Sequence, residues 1–145
     1  MNLTLWRLYR RAHGNGLDGI GGLYAEGRWH RRGSPIVYFG SNASLVVLER
    51  LAHLDPEVLP DDLILGQFAA DISVERIAAT LDIHDLAQTQ ARGQDFLAKA
   101  AACALIVPSI VIPEETNFVL NPLHPDARSL ELVREREFQF DARLL

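Results

Sequence analysis

Hydrophobic and polar positions along the chain repeat with two different periods, and each change of period marks an element. Residues 4–10, TLWRLYR, alternate with a period of two and read as a strand. Residues 36–39, IVYF, form a short apolar run between Pro35 and Gly40 and read as a second strand. Arg28-Trp29 is expected to belong to a strand just before it, with RRGSP turning between the two. Residues 42–54, NASLVVLERLAHL, change to the helical period. Ser41 or Asn42 can cap this helix by accepting from its free N–H groups, and Leu54 and Pro56 close it. Its apolar residues run nearly all round, which predicts burial on more than one side, with Glu49, Arg50 and His53 as a narrow polar sector.

Downstream, residues 62–72 (DLILGQFAADI) read as a strand, 73–81 (SVERIAATL) as a short helix, and 86–102 as a longer one. ALIVPSIVIP, NFVLNP, SLELV and EFQFDARLL add up to four β segments, with turns at Pro113–Thr116 and HPDAR. There is no repeat, linker or composition break. The expected architecture is one α+β domain over residues 1–145, with a mostly antiparallel, twisted sheet and flanking helices.

Composition narrows the class. The 145 residues are 48% hydrophobic and 23% charged, the balance of a folded domain rather than a disordered chain. The most apolar stretch, LIVPSIVIP, is too short and too broken by proline to span a bilayer. The first residues, MNLTLWRLYRR, lack the apolar run of a secretory signal, so a cytoplasmic location is the default expectation. Cys103 is the single cysteine, which excludes an intrachain disulfide; set among alanines, it reads as a buried, inert thiol. The five histidines have no metal-ligand spacing, so no metal is expected.

Charge is informative when divided. The net charge is −5, yet residues 1–34 carry six arginines against two acids, a local +4. An acidic chain does not suit general nucleic-acid binding. A local arginine cluster suits a small anionic ligand, since guanidinium matches phosphate geometry; on charge alone a solvated basic face is the favoured reading. Eight of the ten glycines lie between Gly14 and Gly40, so residues 13–27 are expected to form a long flexible loop. Gly14 to Gly19 matches G-x-G-x-x-G, but that fingerprint must open a helix, and the further glycines at 21, 22 and 27 oppose one. The loop can nevertheless cover a ligand.

Taken singly, the remaining polar residues have plain structural explanations. Glu49 fits a surface carboxylate beside His53, Tyr38 a half-buried core aromatic, and Arg28 a surface cation stacked on Trp29. Ser109 lies in VPSIVIP, outside any G-x-S-x-G hydrolase elbow.

Together they form a different picture. GRWHRRGSPIVYFGSNASLVVLERLAHL resembles the signature G-R-W-N-x-x-G-x-P-x-x-Y followed by a helix carrying a Glu. VPSIVIPEETNFVLNPLHPDA resembles V-P-S-x-x-x-P-x-E-x-N-x-L-x-N-P-x-H-P, and EFQFDARL resembles a C-terminal F-x-F-D-x-R-L. These are signatures of the RES domain family, and the resemblance runs over nearly the whole chain. His30 stands where the family usually has Asn; both side chains form hydrogen bonds.

The resemblance implies a fold similar to the NAD-using ADP-ribosyltransferases and a toxin of a bacterial toxin–antitoxin pair. It implies an antitoxin of the Xre helix-turn-helix type, with nucleic acid contacted only through that partner and no membrane role. A homodimer is compatible with it. The family's Arg, Tyr, Glu and Ser fall on Arg28, Tyr38, Glu49 and Ser109, and Asn117 of the second signature joins Arg28, Tyr38 and Ser109 as a binding residue. NAD+ is the implied substrate. Cleavage of its nicotinamide–ribose bond passes through an oxocarbenium-like ribose, for which Glu49 supplies negative charge. Arg28 can hold the pyrophosphate or adjacent ribose, Tyr38 can stack on nicotinamide, and Ser109 can bond the ribose or orient Arg28 or Glu49. The acceptor remains open between water, phosphate and a protein side chain. Depletion of NAD+ is favoured over ADP-ribosylation of a target protein, and a non-catalytic nucleotide-binding module is the alternative of another class.

Overall fold

The alternation seen in residues 4–10 becomes the long strand β1 (Asn2–Arg10) in the computed structural model, which describes Met1–Leu145. β1 pairs along its full length with β3 (Leu63–Asp71), Leu5 opposite Phe68 and Tyr9 opposite Ile64. With β2 (Val37–Gly40) it shares one register pair only, Trp6 with Gly40. β2 continues into β6 (Thr116–Leu120), and β6 into β5 (Ala104–Pro108). The edges are β4 (Val74–Arg76) and β7 (Glu131–Glu137), giving the order β4-β5-β6-β2-β1-β3-β7. All pairings are antiparallel except β4 with β5. A parallel pair needs a long crossover, and the helix α3 (Leu86–Lys99) supplies it. The fold is therefore α+β, as the periodicities predict.

Side chains alternate across this sheet and build a core on each face. Leu5, Phe39, Phe68 and Phe118 share one, against which Leu17, Ala127 and Leu130 pack. Trp29, Leu105, Val119 and Phe96 of α3 make the other. The second core fixes the segment that carries Arg28, because α3 approaches the backbone of Trp29 at Gly93. A Cβ on Gly93 would stand 1.6 Å from the Trp29 carbonyl oxygen. Gly93→Ala is therefore expected to push α3 off this segment and cost about 3 kcal/mol, the upper end for overpacking. That corresponds to a melting temperature lower by roughly 10 °C, and a calorimetric midpoint equal to wild type would contradict it.

Several local expectations change. Residues 73–81 are not helical; Val74 pairs with Ala104 and extends the sheet, and Ser73 is held by Asp126 while its hydroxyl accepts from the Cys103 N–H. Tertiary pairing overrides a weak local preference here. Arg28-Trp29 is not in a strand; a single bridge between Gly27 and His30 stands in its place. SLELV runs on as one strand, β7, to Glu137, whereas EFQFDARLL beyond that residue is not a strand and closes in a 3-10 turn at Ala142–Leu144. α3 stops at Lys99 because Ala100 adopts a left-handed conformation, φ 49°. The glycine-rich segment is not an uninterrupted loop. A 3-10 turn (Arg11–His13) and the short helix α1 (Gly21–Tyr24) flank a turn in which Gly14, Gly16 and Gly19 take positive φ. The G-x-G-x-x-G match thus forms a turn that is followed by a single helical turn, Gly21–Tyr24, at two of the glycines expected to oppose a helix.

Candidate active site

The helix α2 (Ala43–Ala52) places the central carboxylate. Asn42 caps it, its side chain accepting from the Leu45 N–H at 2.8 Å. The helix is not buried on several sides: Leu45 alone is buried, and most other apolar residues are half-exposed. Glu49 lies one turn after Leu45 and Val46, on the side that faces the sheet, rather than on an outer polar sector.

There the Glu49 carboxylate meets two residues of the second signature. Ser109 Oγ donates to Glu49 Oε1 at 2.5 Å, and Asn117 Nδ2 donates to the same oxygen at 2.8 Å. Ser109 is fully buried, and its oxygen in turn accepts from the N–H groups of Val111 and Ile112, at 3.1 and 3.0 Å. Of the contacts expected of Ser109, the structure contains the one to Glu49. A carboxylate held at one oxygen by two donors keeps a fixed orientation and leaves its other oxygen available.

Glu49, Asn117, Tyr38 and Arg28 line one cleft with a volume of about 460 Å³, within the range of small-molecule sites. Ser109 supports it from behind. Arg28 is half-buried at the cleft wall while its neighbour Trp29 is buried in the core, so the two are not stacked; the indole anchors the arginine's backbone. The Tyr38 hydroxyl accepts from the Trp29 N–H at 3.2 Å and meets His30 Nδ1 at 2.7 Å. Burial pushes the Tyr38 phenol well above its ordinary range, so it is neutral at physiological pH.

Two further arginines line the same cleft, Arg7 and Arg50. Arg7 fills the gap where β1 and β2 part beyond Trp6 and Gly40. Its Nη1 donates to the Tyr38 carbonyl and its Nε to the Asn15 carbonyl, both at 2.9 Å. Burial and the charge of Arg50 lower the Arg7 pKa, and burial lowers that of Arg50. Arg7, Arg28 and Arg50 form no ion pair with a carboxylate, whereas Arg10 and Arg11 are paired with Asp62 and Glu137. Of the six arginines in residues 1–34, Arg10 and Arg11 are thus neutralised at the surface, Arg7 and Arg28 stand unpaired at the cleft, and Arg31 and Arg32 are exposed outside it. The sequence signal for Arg7 lies in the strand alternation: it sits between Leu5 and Tyr9 on a face otherwise buried. A cation there needs a reason beyond packing.

The rest of the second signature is structural. Asn121 is buried and accepts from the Leu123 N–H at 3.0 Å; His124 Nδ1 accepts from the Asp126 N–H at 3.0 Å; Asp126 receives Ser73. These bonds fix the turn after β6. Cys103 is buried beside this cluster, and burial together with the Asp126 charge raises its thiol to about 11. No group of three or more His, Cys, Asp or Glu side chains is arranged to hold a metal ion.

Comparison with known proteins places the chain in a family. The RES domain family matches residues 4–141. A protein of Pseudomonas putida KT2440 named Toxin Res is 36% identical, covering 98% of this chain and 99% of its own. The Prs ADP-ribosylating toxin of Sphingobium sp. YBL2 is 29% identical, over 100% and 98%. Among solved structures, a chain of the M. tuberculosis MbcT–MbcA toxin–antitoxin complex superposes with a TM-score of 0.77 at 17% identity, over 95% of this chain and 85% of that one, and shares its fold. No helix of this chain is long and apolar enough to cross a membrane. A family match over residues 4–141, nearly the full length, shows that the chain belongs to the RES domain family.

Proposed function

We propose that this chain is the toxin of a toxin–antitoxin pair and that it cleaves the nicotinamide–ribose bond of NAD+, depleting the cell of the dinucleotide. The observation that carries the proposal is the Glu49 carboxylate, fixed by Ser109 and Asn117 at the wall of a cleft lined with unpaired arginines. NAD+ needs both halves of that arrangement. Its pyrophosphate is anionic and suits Arg7, Arg28 and Arg50. Its ribose becomes cationic as neutral nicotinamide departs, and a preoriented carboxylate stabilises that charge without reorganising. The face of the Tyr38 ring offers a stacking surface for nicotinamide. The relatives named Toxin Res and ADP-ribosylating toxin support the same class of chemistry.

The acceptor distinguishes two readings. Water or phosphate gives NAD+ depletion; a protein side chain gives ADP-ribosylation, which the Sphingobium relative favours by its name. Incubation with NAD+ and analysis by mass separates free ADP-ribose, its phosphorylated form and a modified protein. Release of nicotinamide is the expected result, and a chain that binds NAD+ without releasing any is a binding module and not an enzyme.

The partner in this proposal is an Xre-type helix-turn-helix antitoxin that occludes the cleft, in line with the toxin–antitoxin complex that shares the fold. The basic wall of the cleft suits a carboxylate-bearing tail of such a partner. The same assay on purified complex tests occlusion: full turnover by the intact complex would refute it. A homodimer and a cytoplasmic location belong to the same proposal.

A further inference from the structure

His30 touches neither the polar network of Glu49 nor the arginines, yet it is buried and both its ring nitrogens are used. Nε2 stands 2.8 Å from the Ala25 carbonyl and Nδ1 2.7 Å from the Tyr38 hydroxyl. The carbonyl can only accept, so Nε2 carries the proton in the neutral ring. Nδ1 is then an acceptor, and the Tyr38 hydroxyl must donate to it. The same hydroxyl oxygen accepts from the Trp29 N–H. The phenol tip is thereby held from behind at two points. Gly27 leaves room for this contact, because a Cβ there would stand 2.7 Å from the Tyr38 hydroxyl and 3.0 Å from His30 Nδ1. On its other side His30 reaches the residue that ends α1, so one ring joins the glycine-rich segment to the aromatic wall of the cleft.

We infer that His30 is a positioning residue: by accepting from the Tyr38 hydroxyl while donating to Ala25, it fixes the Tyr38 ring against the nicotinamide end of the substrate. The inference rests on the proposed NAD+ cleavage for its kinetic consequence, though not for its geometry. Tyr38 acts in it through its ring, and its hydroxyl serves only to orient that ring.

The two contacts can be separated by substitution. An Asn amide at position 30 places its polar atoms near Nδ1, and a Gln amide places them near Nε2. His30→Asn is expected to keep the Tyr38 contact and nearly wild-type nicotinamide release. His30→Gln is expected to keep the Ala25 contact but raise KM for NAD+ about threefold to tenfold, the worth of one neutral hydrogen bond. In a Tyr38→Phe background the difference between Asn and Gln should vanish, as the hydroxyl they compete for is absent. Melting temperatures are recorded for every variant. If KM follows melting temperature, or if the Asn–Gln difference persists in Tyr38→Phe, His30 only supports the fold and the inference is overturned.

A second measurement does not depend on catalysis. Long-range proton–nitrogen correlation spectra of wild type should show the Nε2–H tautomer, with the Nδ1 resonance moving in Tyr38→Phe. A proton on Nδ1, or an unmoved resonance, overturns the assignment. Should wild type release no nicotinamide, the enzymatic proposal fails while this spectrum still decides the role of His30.

Discussion

Glu49→Gln is expected to leave the fold intact and lower nicotinamide release by about 10²–10³, the usual loss when one preorganised electrostatic contact at a transition state is removed. The prediction is sharp because the geometry separates charge from shape. Ser109 and Asn117 both donate to one oxygen of Glu49, and a Gln carbonyl oxygen accepts from both in the same place. The amide fills the same volume, so neither packing nor helix α2 needs to move. What disappears is the negative charge facing the ribose. Circular dichroism and a melting curve matching wild type, combined with the loss of turnover, is the expected result. Wild-type turnover in Glu49→Gln would remove Glu49 from the mechanism altogether.

Arg7→Lys should weaken NAD+ binding by about 10- to 100-fold while keeping the formal charge, corresponding to the loss of one or two charge-assisted hydrogen bonds. The guanidinium does two jobs that an ammonium cannot combine. It donates to the Tyr38 and Asn15 carbonyls, which brace the gap between β1 and β2, and it still lines the cleft. A lysine has a single nitrogen on a flexible stem; if it satisfies the carbonyls it leaves the ligand, and the reverse. Calorimetric titration of NAD+ into a Glu49→Gln background, with and without the lysine, isolates binding from turnover. Equal affinities would show that Arg7 braces the strands and does not touch the dinucleotide.

How much of this was visible in the chain depends on the range of the interaction concerned. β1, β2, β3 and helix α2 follow from local periodicity, and the Asn42 cap from a side chain accepting within one turn. Strand β4 did not, because Val74 becomes extended only when β5 offers a parallel partner thirty residues away in sequence. The length of β7, which runs past SLELV to Glu137, likewise depends on the edge that β3 provides. The residue types of the site were legible in the two signatures: Arg28, Tyr38, Glu49, Ser109 and Asn117 stand at positions a family pattern marks. Their arrangement was not. Glu49 read alone was an exposed carboxylate, since i and i+4 spacing reports neighbours within a helix and nothing of the sheet beneath it.

By itself, then, the sequence determined the secondary-structure periods, the family signatures and the clustering of arginine toward the N-terminus. Tertiary structure alone decided which arginines meet in the cleft, since Arg10 and Arg11 find carboxylates across the sheet while Arg7, Arg28 and Arg50 do not. It also decided that Ser109 serves Glu49, across 60 residues, and that the Tyr38 hydroxyl meets His30. The physical reason is common to all three. Local pattern reports what a residue prefers to be, whereas a charge or hydroxyl acquires its role from the one partner that folding brings within hydrogen-bond distance.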